Sequence, residues 1–275
     1  MPKAIEFPTD SKLYLKSIKA LVRTADELKL SLRQTYSKLA PRALNMRNRY
    51  AHARQMKRAR KEEKRLHTYL GRVIRDFERK ARNIKLDKES QFLLGVVKSI
   101  FNQQKNDSNK IYSVHEPHVE CISKGKVHKK YEFGCKASIV ITHKEGLALD
   151  VRAVHGNPYD GHTLEEALKK AEMNTTQKID TAYVDKGYRG HSVEGKRIFI
   201  SGQKKGVTKW IKSQLKRRQA IEPHIGHMKN DGKLGRNYLK GRLGDEINAM
   251  LCGIGHNLRL IYNWIFPRRK LRFSG

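Results

Sequence analysis

A polar break at residues 102–109, with the sequence NQQKNDSN, divides the chain into two parts with different patterning. A run of Asn, Gln, Asp and Ser favours loop over helix or strand. Before the break, apolar residues recur at helical intervals, and after it short strand-like segments alternate with helical ones. We therefore predict a basic helical region over residues 1–105, an α/β domain over residues 110–265 and a basic tail at 266–275.

The part before the break is predicted to be helical. Apolar residues recur at helical spacing over residues 11–32, where Asp10 or Ser11 is a suitable N-cap. A longer helix-favouring stretch over residues 42–85 is strongly basic and carries an interrupted apolar stripe. A further helix is predicted over residues 89–104, so this part is expected to form a helical hairpin or a small bundle.

The part after the break combines strands and helices. A helix is predicted from Thr163 to about Met173, because Thr163 as N-cap and Glu166 three residues later form a capping-box pattern. The remaining predicted elements are strands at 129–146 and 147–156 joined by a turn at Lys144–Gly146, short buried strands at 180–185 and 196–201, and helices at 207–230 and 244–265. This order predicts a mixed α/β domain with helices packed on a sheet.

The charge of the chain indicates its partner. Lys and Arg number 59 against 27 Asp and Glu, which gives a formal net charge of +32. A chain this basic repels itself unless a polyanion neutralises it, and nucleic acid is the usual partner. A membrane surface is the alternative, but the sequence has no apolar run of membrane-spanning length, no signal peptide and no lipidation motif.

The cysteines favour a reducing compartment. Cys121, Cys135 and Cys252 are odd in number and no two have C-x-x-C spacing, so a disulfide framework is not expected. The spacing of His115, His118 and Cys121 resembles a zinc-binding pattern. No second pair completes a tetrahedral set, and an ordinary loop is the favoured interpretation.

The segment VDKGYRG (184–190) places an acidic residue at the end of a strand. Asp185 follows a predicted buried strand, and open α/β sheets carry their sites at the carboxyl ends of strands. Gly187 and Gly190 would let a substrate backbone come close. The alternative is an aspartate that only caps a turn. Asp160, in GNPYDGHTL, is first a turn residue, with an accessory role at this site as the alternative.

A second acidic residue lies in LKRRQAIEPHIGHMK (215–229). On a continuous helix, Arg218, Glu222 and Lys229 would share one face. A carboxylate flanked by two cations suits an acid that stays ionised and holds a metal beside phosphates. Pro223 favours a break or restart of the helix at this point. The alternative interpretation is a ladder of surface salt bridges.

Several ordered motifs together resemble a known family. GNPYDGHTL, VDKGYRG, RRQAIEPHIGHMK and RNYLKGRLGDEINAML look like insertion-sequence transposases of the DDE class, in the family-five or family-four-like group. The stretches PKAIEFPTD and YAHARQMKRARK match the same kind of protein, so the resemblance covers nearly the whole chain. It implies an RNase H-like mixed sheet flanked by helices, in which three carboxylates hold two divalent metal ions. Such enzymes cut and join DNA by in-line attack on phosphodiester bonds.

The resemblance also assigns residues. The second catalytic aspartate falls on Asp185 and the catalytic glutamate on Glu222, and both would be ligands of Mg²⁺ or Mn²⁺. The family signature around the glutamate has a Tyr where this chain has Leu215, which puts that phosphate contact in doubt. The residues expected to bind DNA phosphates are Arg218, Lys229, Lys186 and Arg189.

The first catalytic aspartate of the family lies in a strand motif resembling Asp-Thr-Thr-Val, just upstream of the PKAIEFPTD segment. This chain opens Met1-Pro2-Lys3, so we expect the strand and its aspartate to be missing, with the helical region as an insertion after that strand. Asp10 is a poor substitute because it follows the motif. A two-metal site needs a bridging carboxylate, so the expectation is weak or lost catalysis with DNA binding retained.

The expected function is transposition, in which the protein binds the terminal inverted repeats of its element in double-stranded DNA and then cleaves and transfers strands. A truncated copy that only binds these ends and represses transposition is the alternative. A basic RNA-binding or ribosome-associated protein is a third class, for which neither VDKGYRG nor RRQAIEPHIGHMK is expected. Many such transposases act as dimers, so a homodimer is a further expectation, and the expected location is the cytoplasm, in association with DNA.

Overall fold

A computed structural model describes residues 1–124, 130–203 and 205–267 of the 275-residue chain. The chain divides into two compact units. Ile5–Val119 form a helical unit, and Met1–Ala4 together with Glu120–Gly275 form an α/β unit. The first four residues thus belong with the α/β unit, and most of the predicted basic tail at 266–275 lies outside the described residues.

Four helices build the helical unit: α1 Asp10–Glu27, α2 Leu39–His52, α3 Met56–Ala81 and α4 Lys88–Asn102. The prediction of Asp10 or Ser11 as the N-cap of α1 is wrong by one residue, because Thr9 Oγ1 accepts the Lys12 N–H at 3.4 Å. The predicted helix over 42–85 is two helices, separated by a turn in which Arg54 has a φ of +56°. The core of the helical unit includes the fully buried side chains Leu21, Leu66, Leu70, Val73, Phe77, Val97 and Ile100.

The strands of the α/β unit pair two by two. Antiparallel pairs are formed by β1 Glu120–Ser123 with β2 Tyr131–Gly134, and by β3 Lys136–Ile141 with β4 Ala148–Val154. The pair β5 Thr181–Val184 and β6 Arg197–Ile200 is parallel. The mixed α/β class is confirmed, but the described strands form three two-stranded sheets where a single mixed sheet was predicted. The predicted strand 129–146 is also divided, because the chain leaves β2 at Cys135 before β3 begins.

The helices of this unit are α5 Asp160–Thr175, α6 Lys209–Arg217, α7 Ile221–Asn230 and α8 Gly241–Ile265. Thr163 is not the N-cap of α5, because that helix begins at Asp160, whose carbonyl accepts the Thr163 hydroxyl at 2.8 Å. The predicted helix 207–230 is interrupted by a 3-10 turn at Arg218–Ala220. Pro223 lies in the first turn of α7, where backbone N–H groups have no partner within the helix and its missing N–H costs little.

The chain's first residues form part of this unit's backbone pairing. Pro2 forms an antiparallel bridge with Gly134, and Lys3 forms a parallel bridge with Asn237. The Met1 amine donates to the Cys135 carbonyl at 2.7 Å, and Met1 itself is buried. The N-terminal segment therefore lies between the end of β2 and the segment that precedes α8.

None of the described helices has both the length and the apolarity that crossing a bilayer requires.

Candidate active site

Asp185 lies where the sequence predicts, immediately after the short strand β5. Val184, the last residue of that strand, is buried, whereas Asp185 is exposed. One carboxylate oxygen of Asp185 accepts the Lys186 N–H at 2.7 Å, and its carbonyl accepts the Tyr188 N–H at 3.1 Å. Asp185 therefore both begins the 3-10 turn Lys186–Tyr188 and presents its carboxylate to solvent at the carboxyl end of the strand.

A second carboxylate borders this turn. A Cβ atom added at Gly187 would lie 2.9 Å from Asp160 Oδ2, so only glycine allows this approach without displacement. Burial, and then the carboxylates of Asp160 and Asp185, raise the pKa of the Tyr188 hydroxyl. Asp160 is itself paired with the Lys136 ammonium, 3.0 Å away, which also donates to the Pro158 carbonyl. The segment GNPYDGHTL thus contributes an acidic residue beside the Asp185 turn.

Glu222 lies on the first turn of α7 and is exposed. Lys229 is seven residues later on the same helix and is also exposed. Arg218 is not on this helix, because it begins the 3-10 turn that separates α6 from α7. Its Nε is buried and has no hydrogen-bond partner among the described residues. A buried donor of this kind is costly unless a ligand accepts from it, and a phosphate oxygen is a suitable acceptor.

His143, just after β3, connects the two acidic segments. Its ring stacks on Tyr183 of β5, with centroids 4.7 Å apart, and its Nε2 lies 2.7 Å from Gln214 Oε1 of α6. Tyr183 is two residues before Asp185, and Gln214 is eight residues before Glu222. The same hairpin supports α7, because His224 lies against Gly146 in the β3–β4 turn. The strand that carries Asp185 and the helices that lead to Glu222 are therefore held by one hairpin.

The other predicted phosphate-binding residues are on the surface. Lys186 and Arg189 are exposed, and both lie in or beside the 3-10 turn that Asp185 begins. The Lys186 side chain passes Gly202, where an added Cβ would lie 2.7 Å from its Cε. The Arg189 carbonyl accepts the Tyr159 hydroxyl at 2.8 Å, which fixes the backbone of the turn. Both cations thus accompany Asp185 on an anchored turn.

The acidic groups suit hard divalent cations. Mg²⁺ and Mn²⁺ prefer oxygen ligands, and Asp185 and Glu222 are solvent-accessible carboxylates that an ion can reach with its waters. Asp160 is the second carboxylate at the Asp185 turn, but the Lys136 ammonium already compensates its charge. The donor set therefore fits a hydrated Mg²⁺ or Mn²⁺ better than zinc, which favours Cys and His.

A separate cluster, which sequence analysis missed, lies beside the N-terminal segment. The ligand atoms of Cys135, His155 and Asp245 lie within 4.8 Å of one another. The Lys3 ammonium lies 2.8 Å from Asp245 Oδ1, so it supplies the positive charge that a bound cation would bring. Burial, and then the Asp245 carboxylate, raise the pKa of the Cys135 thiol to about 12. The cluster is therefore a buried ion pair with a neutral thiol beside it. Its members are 20 to 110 residues apart, so no spacing in the sequence could have indicated it.

The favoured interpretation of HEPHVEC, an ordinary loop, is consistent with the contacts of its histidine. His118 Nε2 lies 3.2 Å from the buried Glu116 carboxylate in the same segment. Cys121 lies in β1 and belongs to the α/β unit, whereas both histidines belong to the helical unit. Within the described ranges, the one group of Cys, His and carboxylate atoms close enough to hold an ion does not include this segment.

Comparisons with known proteins identify the family of the chain. Over 54 residues the chain is 57% identical to an uncharacterized protein, ORF8 in the nfe locus of Rhizobium meliloti. That stretch is 20% of this chain and 26% of that protein, so this chain matches about a quarter of its relative's length. No solved structure matches the chain significantly. Residues 106–258, more than half of the chain, match the family described as the transposase DDE domain. They contain both Asp185 and Glu222, and the chain belongs to that transposase family.

Proposed function

We propose that this protein is the transposase of an insertion sequence, which binds the element's terminal inverted repeats and cleaves and transfers DNA strands. The observation that carries the proposal is the pair of exposed carboxylates, Asp185 at the end of β5 and Glu222 at the start of α7. The β3–β4 hairpin contacts both elements, β5 through His143 and α7 through Gly146. The family match supports the reaction class. The charge of +32 supports a polyanionic substrate. A DNA-associated location in the cytoplasm is part of the same proposal.

In this proposal Asp185 and Glu222 hold Mg²⁺ or Mn²⁺, two ions in a complete site. Bound metal would activate the attacking oxygen and stabilise the leaving oxygen of an in-line displacement. The chain's own contribution is to place the phosphodiester. Arg218 offers a buried Nε without a partner among the described residues, and Lys186, Arg189 and Lys229 add exposed charge. Arginine suits phosphate because its donors form a planar fork.

The RNase H-like arrangement is part of the proposal. Two antiparallel strands, β3 and β4, are followed by α5 and then by the parallel strands β5 and β6. This order supports a core of that type, in which the metal-binding aspartate ends a strand parallel to its neighbour. Pro2 pairs with Gly134 and Lys3 pairs with Asn237. These bridges support a place for one more strand of the core, between the end of β2 and the segment that precedes α8.

A second copy of the chain is the partner that we propose for α8. Ten of its large apolar side chains are exposed, and Leu243, Ile247, Met250, Ile254, Ile261 and Ile265 among them follow heptad-like spacing. About ten half-exposed apolar side chains offer on the order of 800 Å², which is what each partner buries in a standard interface. Sedimentation should therefore show a dimer, and Ile254→Lys should convert it to a monomer. A wild-type monomer at every concentration would contradict this.

Binding without cleavage is the second candidate function, as a repressor that occupies the element's ends. The observation that favours it is the ion pair between Lys136 and Asp160, since it leaves two uncompensated carboxylates, Asp185 and Glu222, at the described site. A two-metal mechanism usually needs a bridging carboxylate as well.

One experiment separates these functions. Duplex DNA carrying the element's own ends is incubated with the full chain and Mn²⁺, and binding and nicking are both recorded. If the chain is a transposase, Asp185→Asn and Glu222→Gln should lower nicking by about a hundredfold or more, with binding retained. Asp180→Asn is the matched control, because this exposed aspartate lies just before the other end of β5. Binding without nicking in the wild type would establish the repressor, and equal affinity for arbitrary duplex would contradict both.

A further inference from the structure

The outer face of α3 in the helical unit is almost entirely basic. Its exposed residues alternate at intervals of three and four, so they lie along one side of the helix. Between residues 58 and 82 the stripe extends for about 36 Å, at 1.5 Å per residue. We define the basic face of α3 as Arg58, Lys61, Arg65, Arg72, Arg75, Arg79 and Arg82, with Thr68 the one neutral position in the series.

The acidic residues of α3 leave this face largely uncompensated. Glu62 and Asp76 are buried at its edge, where they pair with Arg65 and Arg79. Glu63 and Glu78 are occupied by Arg47 and Lys98 from neighbouring helices. Arg72, Arg75 and Arg82 form no ion pair with a carboxylate of the described residues. Uncompensated like charges repel, so this surface is costly in isolation and is stabilised by a polyanion.

The C-terminal half of the basic face borders a cleft. A cavity of about 570 Å³ is lined by five arginines, namely Arg33, Arg72, Arg75, Arg79 and Arg82, together with Gln34, Tyr36 and two carboxylates, Asp76 and Glu78. The five cations outnumber the two carboxylates, and both of those are already paired. The cleft is therefore a concentration of arginine donors around a space large enough for a phosphate group and its neighbours.

The walls of this cleft are fixed by contacts. Asp76 Oδ2 accepts the backbone N–H of Arg33 at 2.6 Å, which holds the loop after α1 against α3. Arg72 donates to the Tyr36 hydroxyl at 3.2 Å, and the Tyr36 ring stacks on Tyr69 with centroids 4.3 Å apart. A preorganised set of donors loses less entropy when it binds an anion than a set on mobile chains does.

We propose that the basic face of α3 and its arginine cleft bind the phosphate backbone of duplex DNA. The inference rests on the proposed function and adds a second contact surface, in the helical unit and separate from the Asp185 segment. Duplex is favoured over single strands because single-strand binding needs exposed aromatic rings for base stacking. The basic face carries arginines, the cleft tyrosine Tyr36 is buried, and Tyr50 is half-buried beneath Arg58. One turn of duplex is about 34 Å long, close to the length of the basic face.

The test compares two triple variants of equal charge in the full chain. Arg33→Gln, Arg75→Gln and Arg82→Gln together remove three cleft arginines whose side chains form no ion pair within the described residues. Lys169→Gln, Lys170→Gln and Lys178→Gln together remove three exposed charges from α5 and the segment after it. Thermal melting of both variants establishes that they are folded. The affinity for a 30-base-pair duplex of arbitrary sequence, which is about three helical turns long, is then measured over a range of salt concentrations.

Each phosphate contact contributes about 0.9 to the slope of log affinity against log salt. The cleft variant should therefore show a slope shallower by about 2 to 3 and an affinity at low salt lower by about tenfold or more. The lysine variant should stay closer to the wild type. If both variants lose the same amount, or if neither does, the cleft is not the contact surface while the proposed function stands. A wild type that does not bind duplex would overturn the proposed function itself, and tighter binding to single-stranded RNA or anionic vesicles would overturn the assignment to DNA.

Discussion

The Lys3 ammonium lies 2.8 Å from the Asp245 carboxylate, and both side chains are almost completely buried. Asn237 Nδ2 donates to the same carboxylate oxygen at 2.6 Å. This ion pair joins the N-terminal segment to the N-terminal part of α8, across 242 positions of sequence. Breaking a buried pair by removing one partner leaves an uncompensated charge, which is much more costly than losing both charges together.

Lys3→Met should therefore lower the free energy of unfolding by about 3–5 kcal/mol, measured by urea denaturation. Adding Asp245→Leu to that variant should recover a large part of the loss, because no unpaired charge remains. Lys12→Met is the control, since its partner Glu6 is half-exposed and the effect should stay within about 1 kcal/mol. If the double variant is less stable than Lys3→Met, the ion pair is not the main contribution that these two residues make to the free energy of unfolding.

Two glycines of α8 should respond in opposite directions. A Cβ at Gly253 would lie 2.8 Å from Val151 Cγ2, so Gly253→Ala should push α8 away from β4 and cost about 1–3 kcal/mol. A Cβ at Gly255 meets no atom within 4 Å, and Gly255→Ala should stabilise the helix by about 0.5–1 kcal/mol. Equal effects of the two variants in chemical denaturation would mean that α8 does not pack on β4 through Gly253.

The sequence predicts the kind of element better than its ends. The strands that precede and follow α5, and the position of Asp185 at a strand end, are recovered because β-branched runs and glycines punctuate them. The start of α5 is missed because the Lys136 ammonium holds the Pro158 carbonyl and Asp160 from a distant strand, and no local pattern records such a contact. The turn between α2 and α3 is missed because Arg54, neither glycine nor proline, takes the left-handed conformation.

The sequence likewise predicts some features of the candidate site and misses others. Asp185, Glu222 and the neighbouring cations were predicted from local motifs and from the family resemblance, and their roles stay predictions. The support that His143 gives to both segments could not be predicted, since it depends on a stacking contact and a hydrogen bond over 40 and 71 positions. The Lys3–Asp245 pair was missed for the same reason, although each residue lies in a recognised motif.

The cysteines should differ in reactivity. Burial, and then Asp245, raise the pKa of Cys135 to about 12, and burial raises the pKa of Cys252 to about 11. Since the thiolate is the reactive form, both should resist a thiol reagent at neutral pH until the protein unfolds. Any rapid reaction of the folded protein with the thiol reagent should occur at the half-exposed Cys121, and Cys121→Ser should abolish it. Rapid labelling of Cys135 in the folded protein would contradict the burial of the N-terminal segment.

Glu172 should make the stability of the α/β unit fall at acidic pH. The Lys196 ammonium, followed by the Ile179 N–H, lowers the pKa of this carboxylate below 4.5. A depressed pKa in the folded state means that the stabilisation is present above the unfolded pKa and is lost as the pH falls through the folded one. Glu172→Gln should thus lower the melting temperature at neutral pH but not in acid below that pKa. Glu165→Gln, which disrupts only a surface pair with Lys169, should change little at either pH.

The most direct test of the central claim is to locate the metal on the protein itself. Fe²⁺ replaces Mg²⁺ in the full chain, ascorbate and peroxide generate radicals at the ion, and the polypeptide fragments are mapped by mass spectrometry. The account predicts cleavage near Asp185 and Glu222 that Mg²⁺ suppresses, that Asp185→Asn abolishes and that Asp180→Asn leaves intact. Cleavage centred on Cys135, His155 and Asp245, or cleavage that persists in Asp185→Asn, would contradict it.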